Sequence, residues 1–415
     1  PALSAHPATP LGQGTDAEGP IPSGAIACLS LAAFGSGVSL RINDALLPRL
    51  GTEFSVTLGT AAHVVSFFSI AYGLAQLLFG PLGDRYGKYR VIACATLACA
   101  GATLLCALAW SFPTLLAARV LAGATAAAII PLSMAWIGDV VAYDQRQPVL
   151  ARFLIGQIVG LAGGVWFGGF TADHLSWRAP YVVIAAMLVG ISATLFALNR
   201  RLPPRARRQA DPAASSGSSS ALGRIAADFG HVLEHRWARV ILVTVFLEGM
   251  LLYGPFAFFP AHLHGTFGIA LSFAGSLVML YGFGGLVFAT TSSRLVPLLG
   301  EVGLARSGAV LLGLAMLAVG LGPAWWWSVP GCLVAGLGFY MLHNTLQINA
   351  TQMAPERRGA AVASFASSFF LGQSAGVTLA GLAAERFGTA AMIAGGACGV
   401  FTVGMVFAAL RARRP

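Results

Sequence analysis

The chain is poor in charge. Of its 415 residues only 10% are Asp, Glu, Lys or Arg, against the ~25% usual in soluble domains, while hydrophobic types reach 57% and mean hydropathy is +0.76. Lysine occurs once, at Lys88. These deficits exclude a soluble globular protein, a disordered chain and a fibrous one. Cysteine is scarce too. Cys28, Cys94, Cys99, Cys106, Cys332 and Cys398 all lie in apolar runs and form no CxxC pair, so neither a disulfide framework nor a thiolate metal site is indicated. Buried as small hydrophobes is their expected state. No GxxxxGK[ST] loop is present, which leaves an ATP-driven pump without support. No cofactor and no metal are expected.

What the chain does have is long, continuous apolar runs. In hydrocarbon every backbone polar group needs an internal partner, so such runs read as membrane-spanning helices. A span takes ~20 apolar residues. Twelve candidates fall near 24–47, 61–82, 91–110, 113–136, 153–172, 179–199, 239–261, 271–293, 304–322, 328–350, 360–383 and 389–410. Residues 1–23 are polar and rich in Pro and Gly, predicting a disordered N-terminus and no cleavable signal peptide. Between spans six and seven lies 200–238, which opens RRLPPRARRQADPAASSGSSS and cannot pack as a span. The expected organisation is a six-helix bundle at 24–199, a linker at 200–238, a second bundle at 239–410 and a tail at 411–415.

Net charge is +10, and its placement matters more than its size. With the N-terminus inside, 20 of the 25 Lys and Arg residues fall in inner loops or the tail; Arg49, Arg178 and Arg386 fall outside, and Arg41 and Arg119 fall within spans. Cytoplasmic loops accumulate positive charge, so both termini are placed in the cytoplasm. The basic balance is therefore a topology signal, and nucleic acid is not an expected partner. Trp110, Trp177, Trp237 and Trp325-Trp326-Trp327 sit at span ends, where amphipathic rings prefer the interface.

The halves also echo each other. Gly156-Gln157-Ile158-Val159-Gly160 in span five matches Gly372-Gln373-Ser374-Ala375-Gly376 in span eleven. GPLGDRYGKYR (80–90) after span two is paralleled by SRLVPLLGEVG (293–303) after span eight, which keeps the Gly87/Gly300 spacing and lacks the acidic residue. Paired six-helix repeats about a linker describe a rocking secondary transporter.

The loop after span two carries the strongest motif. Gly80, Asp84, Arg85, Gly87, Lys88 and Arg90 resemble the GxxxDRxGRK signature of the major facilitator superfamily. The resemblance extends over 24–412 through the twelve spans, the linker, Trp177-Arg178 opening span six and APERRG (354–359) before span eleven. It implies an all-α membrane protein of two pseudo-symmetric six-helix bundles. It also implies a cytoplasmic latch of Asp84, Arg85 and Lys88 with Asp139 at the end of span four. An acid facing the N-terminus of span eleven would be favoured by the helix dipole. The plainer alternative is a basic loop that only sets topology.

Five ionisable groups are embedded: Arg41 and Asp44 in span one, Arg119 in span four, Glu248 in span seven and His343 in span ten. A charge in hydrocarbon costs ~2.5–3.5 kcal/mol on insertion scales, so each should face a cavity or a partner. In the family resembled, spans one, four, seven and ten line the central cavity. Arg119 begins Arg119-Val-Leu-Ala-Gly123, similar to the family's RxxxG element. Asp44 could pair with Arg119 or with Arg41, in a structural or a gating role. Glu248 and His343, with Asp44, are the proton-coupling candidates. Arg41, Arg119, Tyr340, Asn344, Gln347 and Phe256 are the substrate-cavity candidates, Tyr340, Asn344 and Gln347 sharing a helical face with His343.

Gly156, Gly160 and Gly164 in span five resemble the GxxxGPxxGG element of drug exporters, with Leu161 in place of its Pro; small residues at this spacing also serve helix packing. Gly372-Gln-Ser374-Ala-Gly376 fits GxSxG literally, but a hydrolase needs that motif on a strand–turn–helix, and no enzyme is expected. His262 and His264 alone are a weak metal pair. The resulting expectation is a monomeric, proton-coupled transporter of small organic solutes in a bacterial cytoplasmic (inner) membrane. An exporter is preferred. An uptake symporter is the alternative, and a receptor or scaffold on a transporter fold is a third reading.

Overall fold

In a computed structural model of the chain, residues 22, 24–207 and 221–414 are described. The expected disordered segment 1–23 thus lies, but for Pro22, outside the described residues, as does the Ser-rich stretch 208–220. Among the described residues there are helices and turns and no strands. Ten helical segments among the described residues are long and apolar enough to cross a bilayer; one of them, Leu271–Leu321, turns at Gly300 and has length for two crossings, and Ser328–Gln352 brings the crossings to twelve. That last helix carries the polar His343, Asn344 and Gln347 among its apolar residues.

The turns after spans two and eight share one device. Gly87 has φ of 87° and Gly300 φ of 61°, a region that side chains with a Cβ rarely enter. The glycine spacing repeated between the halves therefore marks a repeated backbone reversal.

Several boundaries differ from expectation. Span one stops at Arg41, not near residue 47; a turn follows at 42–46, then a short helix, Leu47–Phe54. Asn43 in that turn accepts a hydrogen bond from the Tyr181 hydroxyl, and short polar side chains of this kind favour turns over helix. Span seven is broken: Arg236–Glu248 runs into a π-turn at Gly249–Tyr253, then Gly254–Phe256 and Phe259–Phe267. The linker is not wholly irregular, since it contains a helix at Ala221–Glu234. Its start is held by Trp136, whose indole donates to the Ala206 carbonyl at 2.9 Å.

Glycine decides the crossings. On span five (Tyr143–His174), Gly156, Gly160 and Gly164 lie against the backbone of Ser30, Phe34 and Val38 on span one, and Gly168 against that of Ile42 just beyond it, leaving no room for a Cβ. The exporter-like glycines are thus packing positions, held by van der Waals contact between close backbones.

The apolar core is distributed unevenly. One large cluster joins both halves on the side away from the linker, from Leu40 and Phe68 to Tyr253, Tyr281 and Phe339. Toward the linker side the halves keep separate cores, one around Tyr89, Trp136 and Phe153, the other around Ile241, Leu346 and Phe407. Cross-half contacts follow the same division. Span two meets span eleven from Gly59 on Gly381 to Tyr72 on Phe370, and span five meets span eight from Gly169 on Leu271 to Ala162 on Gly282. Asp173 also caps span eight in trans, accepting from the amides of Leu271 (3.3 Å) and Ser272 (2.6 Å). The chain is closed on the far side and, apart from contacts of the linker helix with span two, parted toward the linker.

Overpacking a helix crossing costs about 1–3 kcal/mol. Gly160→Val should therefore lower the apparent Tm by several degrees, whereas Gly163→Ala, which points into open space, should leave it unchanged. Thermal unfolding of the two purified variants beside wild type checks this.

Candidate functional site

Glu248 ends the first helical segment of span seven at the mouth of the π-turn, an irregularity that often accompanies functional positions. Its carboxylate is fully buried. One oxygen lies 2.8 Å from Nδ1 of His343 on span ten, and Oε1 has no hydrogen-bond partner. The imidazole stacks on Phe339 at 4.8 Å and is flanked by Phe365 and Phe369 of span eleven at 5.3 and 5.0 Å. His343 is 18% exposed and Glu248 is 0% exposed, so the imidazole is the member of the pair that meets the outside.

A second layer lies farther from the linker. Arg41 sends its guanidinium across the interface between halves, 4.0 Å above the Tyr253 ring and 5.2 Å from Phe256, while its Nη1 pairs with Asp44 at 3.4 Å. Tyr253 and Tyr281 join hydroxyls at 2.9 Å. Arg41, Tyr253, Phe256, Tyr281 and Tyr340 line a cavity of about 20 Å³, room for roughly one water. Known small-molecule pockets run to about 300–1,000 Å³. In this conformation the layer is therefore a plug, closed to anything larger than a water.

Arg119 stands apart from the cavity. Its Nε donates to the Val64 carbonyl at 3.1 Å and its Nη1 to the Ser39 carbonyl at 3.2 Å, and the guanidinium lies 4.1 Å over Phe68. It ties spans one, two and four together. Of the two pairings open to Asp44, the structure forms the one with Arg41. Tyr340 reaches the cavity; Asn344 is half-buried and Gln347 exposed, one and two turns closer to the linker side.

Lys88 bridges Asp139 at 2.7 Å and Asp84 at 3.1 Å, joining three of the four latch candidates within the first half. Arg85 lies instead over Tyr86 at 5.2 Å. Among the described residues no ion pair links Asp84 to span eleven. The second half has a counterpart that the motif comparison passed over. Glu301, directly after Gly300 as Lys88 is after Gly87, pairs with Arg411 at 2.9 Å and accepts from Asn349 at 3.0 Å. Matching the loops on charge rather than position hides it, because the sign is inverted. Sequence reasoning also missed the polar seam between spans two and eleven, where Gln373 donates to Ser69 and Ser374 to the Ser66 carbonyl, both at 2.9 Å. Ser374 is thus a packing hydroxyl inside a membrane helix.

Comparison with known proteins accords with this arrangement. Residues 29–377 match the profile of the Major Facilitator Superfamily. Bacillus subtilis YceJ, an uncharacterised MFS-type transporter, is 24% identical over 352 residues, 84% of this chain and 86% of its own. The multidrug export protein EmrB of Haemophilus influenzae is 26% identical over 180 residues, 42% of this chain and 35% of its own. Among solved structures, the nucleoside transporter NupG superposes with a TM-score of 0.75 at 13% identity, covering 93% of this chain and 99% of that one. A bacterial homologue of the lysosomal transporter Spinster, in an inward-facing, unoccupied conformation, gives 0.70 at 18% identity, covering 95% and 96%.

Buried and exposed charges should respond differently to removal. A hydrogen bond to a charged group contributes about 1.5–3 kcal/mol, so Arg119→Gln, which forfeits the bracket to two helix carbonyls, should drop the apparent Tm by several degrees. The latch carboxylate of Asp84 is 57% exposed, and exposed pairs contribute about 0.2–1 kcal/mol, so Asp84→Asn should unfold close to wild type. Thermal melts of both variants measure the contrast.

Proposed function

Because the chain belongs to the major facilitator superfamily, we propose that it is a proton-coupled secondary transporter of small organic solutes that works by alternating access and exports its substrate. The observation carrying this reading is the buried Glu248–His343 pair. A carboxylate whose one hydrogen-bonding partner is itself titratable holds a proton in either of two places. Rocking the halves changes what surrounds them, and solute entry beside the same rings displaces the balance.

In this reading the linker side is cytoplasmic, following its excess of Arg, and the conformation is open to the cytoplasm. The protein acts as a monomer in the inner membrane. Arg41 on Tyr253, and Asp173 on the start of span eight, form the outer gate. Asp84, Lys88 and Asp139 are the cytoplasmic latch, poised to meet span eleven when that side shuts. Partial similarity to EmrB supports export. Leu161, standing where drug exporters carry Pro, favours the second reading, an uptake symporter. The plug supplies aromatic faces and one guanidinium, suited to an apolar solute with an anionic group. A thermal-shift screen against metabolites and drugs identifies it.

Two outcomes test the proposal. Cells overproducing the protein should hold less of a toxic substrate, with the difference abolished by an uncoupler; greater accumulation would establish uptake. In proteoliposomes Glu248→Gln should abolish uphill transport driven by a pH gradient while sparing substrate binding and exchange. Uphill flux per folded molecule equal to wild type would overturn the coupling role and move it to Asp44.

A further inference from the structure

The transport reading leaves one cluster of ligand-type side chains unused, on the linker side and away from the membrane core. The linker helix Ala221–Glu234 packs against the starts of spans seven and eleven and against span two of the other half. His231 near its end and His235 just beyond it are one helical turn apart, with ring centroids 5.2 Å from each other. Opposite them is Glu356, in the short Pro355–Arg357 turn that leads into span eleven. One ligand atom from each of His231, His235 and Glu356 lies within 4.8 Å of the other two.

The surroundings prepare these histidines for a metal. Metal-bound imidazoles commonly give their second ring nitrogen to a carbonyl or carboxylate, which fixes tautomer and ring orientation. Both do so here. His235 Nδ1 donates to the His231 carbonyl at 3.1 Å, and His231 Nδ1 lies 3.3 Å from the Glu234 carboxylate. With Nδ1 of each ring so engaged, Nε2 would be the coordinating nitrogen. The neighbouring Arg357 is engaged by Asp228 in an ion pair that joins the same two segments, so its charge is not left facing the cluster.

We propose that His231, His235 and Glu356 bind one Zn²⁺ ion, with water completing the coordination, and that the ion clamps the linker to the start of span eleven. Two imidazoles and a carboxylate suit this borderline ion rather than Mg²⁺ or Ca²⁺, which prefer all-oxygen sites. Zinc bonds of about 2.0–2.1 Å place tetrahedral ligand atoms about 3.3 Å apart. The exposed Glu356 side chain can swing to close the remaining gap. Span eleven lines the Glu248–His343 pair through Phe365 and Phe369, so a clamp at its start restrains a helix that must move during rocking.

The test is calorimetric titration of ZnCl₂ into tag-free, chelator-stripped full-length protein in detergent, repeated in excess Mg²⁺. One saturable site unaffected by Mg²⁺ is expected. His235→Ala and Glu356→Gln, on the two clamped segments, should each weaken binding by more than tenfold, and Glu234→Gln, acting through His231, by about tenfold. All three positions are outside the packed cores, and equal thermal melts in the absence of metal confirm that the variants fold. Absence of saturable Zn²⁺ binding would overturn the site. Wild-type affinity in Glu356→Gln would overturn the clamp, since the ion would then sit on the linker alone.

Discussion

Hydrocarbon tolerates a charge only when something in the protein answers it, and that constraint organises this molecule. Arg119 answers its own with two helix carbonyls and an aromatic face, and in doing so locks spans one, two and four. Arg41 divides its charge between Asp44 and the ring of Tyr253, and so reaches from one half to the other. Glu248 is answered by a histidine alone, with its second oxygen unpartnered. Of the three solutions only the last pairs an acid with a histidine.

The same chemistry differs between the two faces of the molecule. On the far side the halves share one apolar core, a polar seam between spans two and eleven, and an aspartate that caps a helix of the opposite half. Helix N-termini attract carboxylates, so Asp173 ties the start of span eight to the opposite half. On the linker side each half keeps its own core and its own ion pairs: Asp84–Lys88–Asp139 in one, Glu301–Arg411 in the other. Neither cluster crosses the gap.

Much of the fold was legible because membrane spans obey a coarse rule. Length and hydropathy locate twelve runs, and the glycine common to the loops after spans two and eight marks where the backbone reverses. The linker helix was not legible, because Pro, Ser and Gly in 200–220 colour the whole segment as irregular and the 14 residues of Ala221–Glu234 are too few to stand out as a span. The break in span seven was hidden for a different reason: a π-turn changes no composition. Among site residues, the five embedded charges could be found from their cost alone. Their pairing could not. Asp44 has two arginines at similar depth, and only the turn at 42–46, stabilised by Tyr181 on Asn43, decides that Arg41 receives it. Tyr253, Tyr281 and Phe369 escaped notice because aromatic residues are common in apolar helices and their convergence is a tertiary fact.

The central claim is that solute and proton compete through the Glu248–His343 pair. Coupling between two ligands is reciprocal, so a solute that weakens proton binding must expel protons when it binds. The direct measurement follows pH in a lightly buffered solution of detergent-solubilised protein as a solute from the screen is added, alongside its binding isotherm. An exporter coupled in this way should release close to one proton for each molecule bound, with the release saturating as binding does. Saturating binding with no change in proton content would contradict the account and reduce the pair to a brace between two helices.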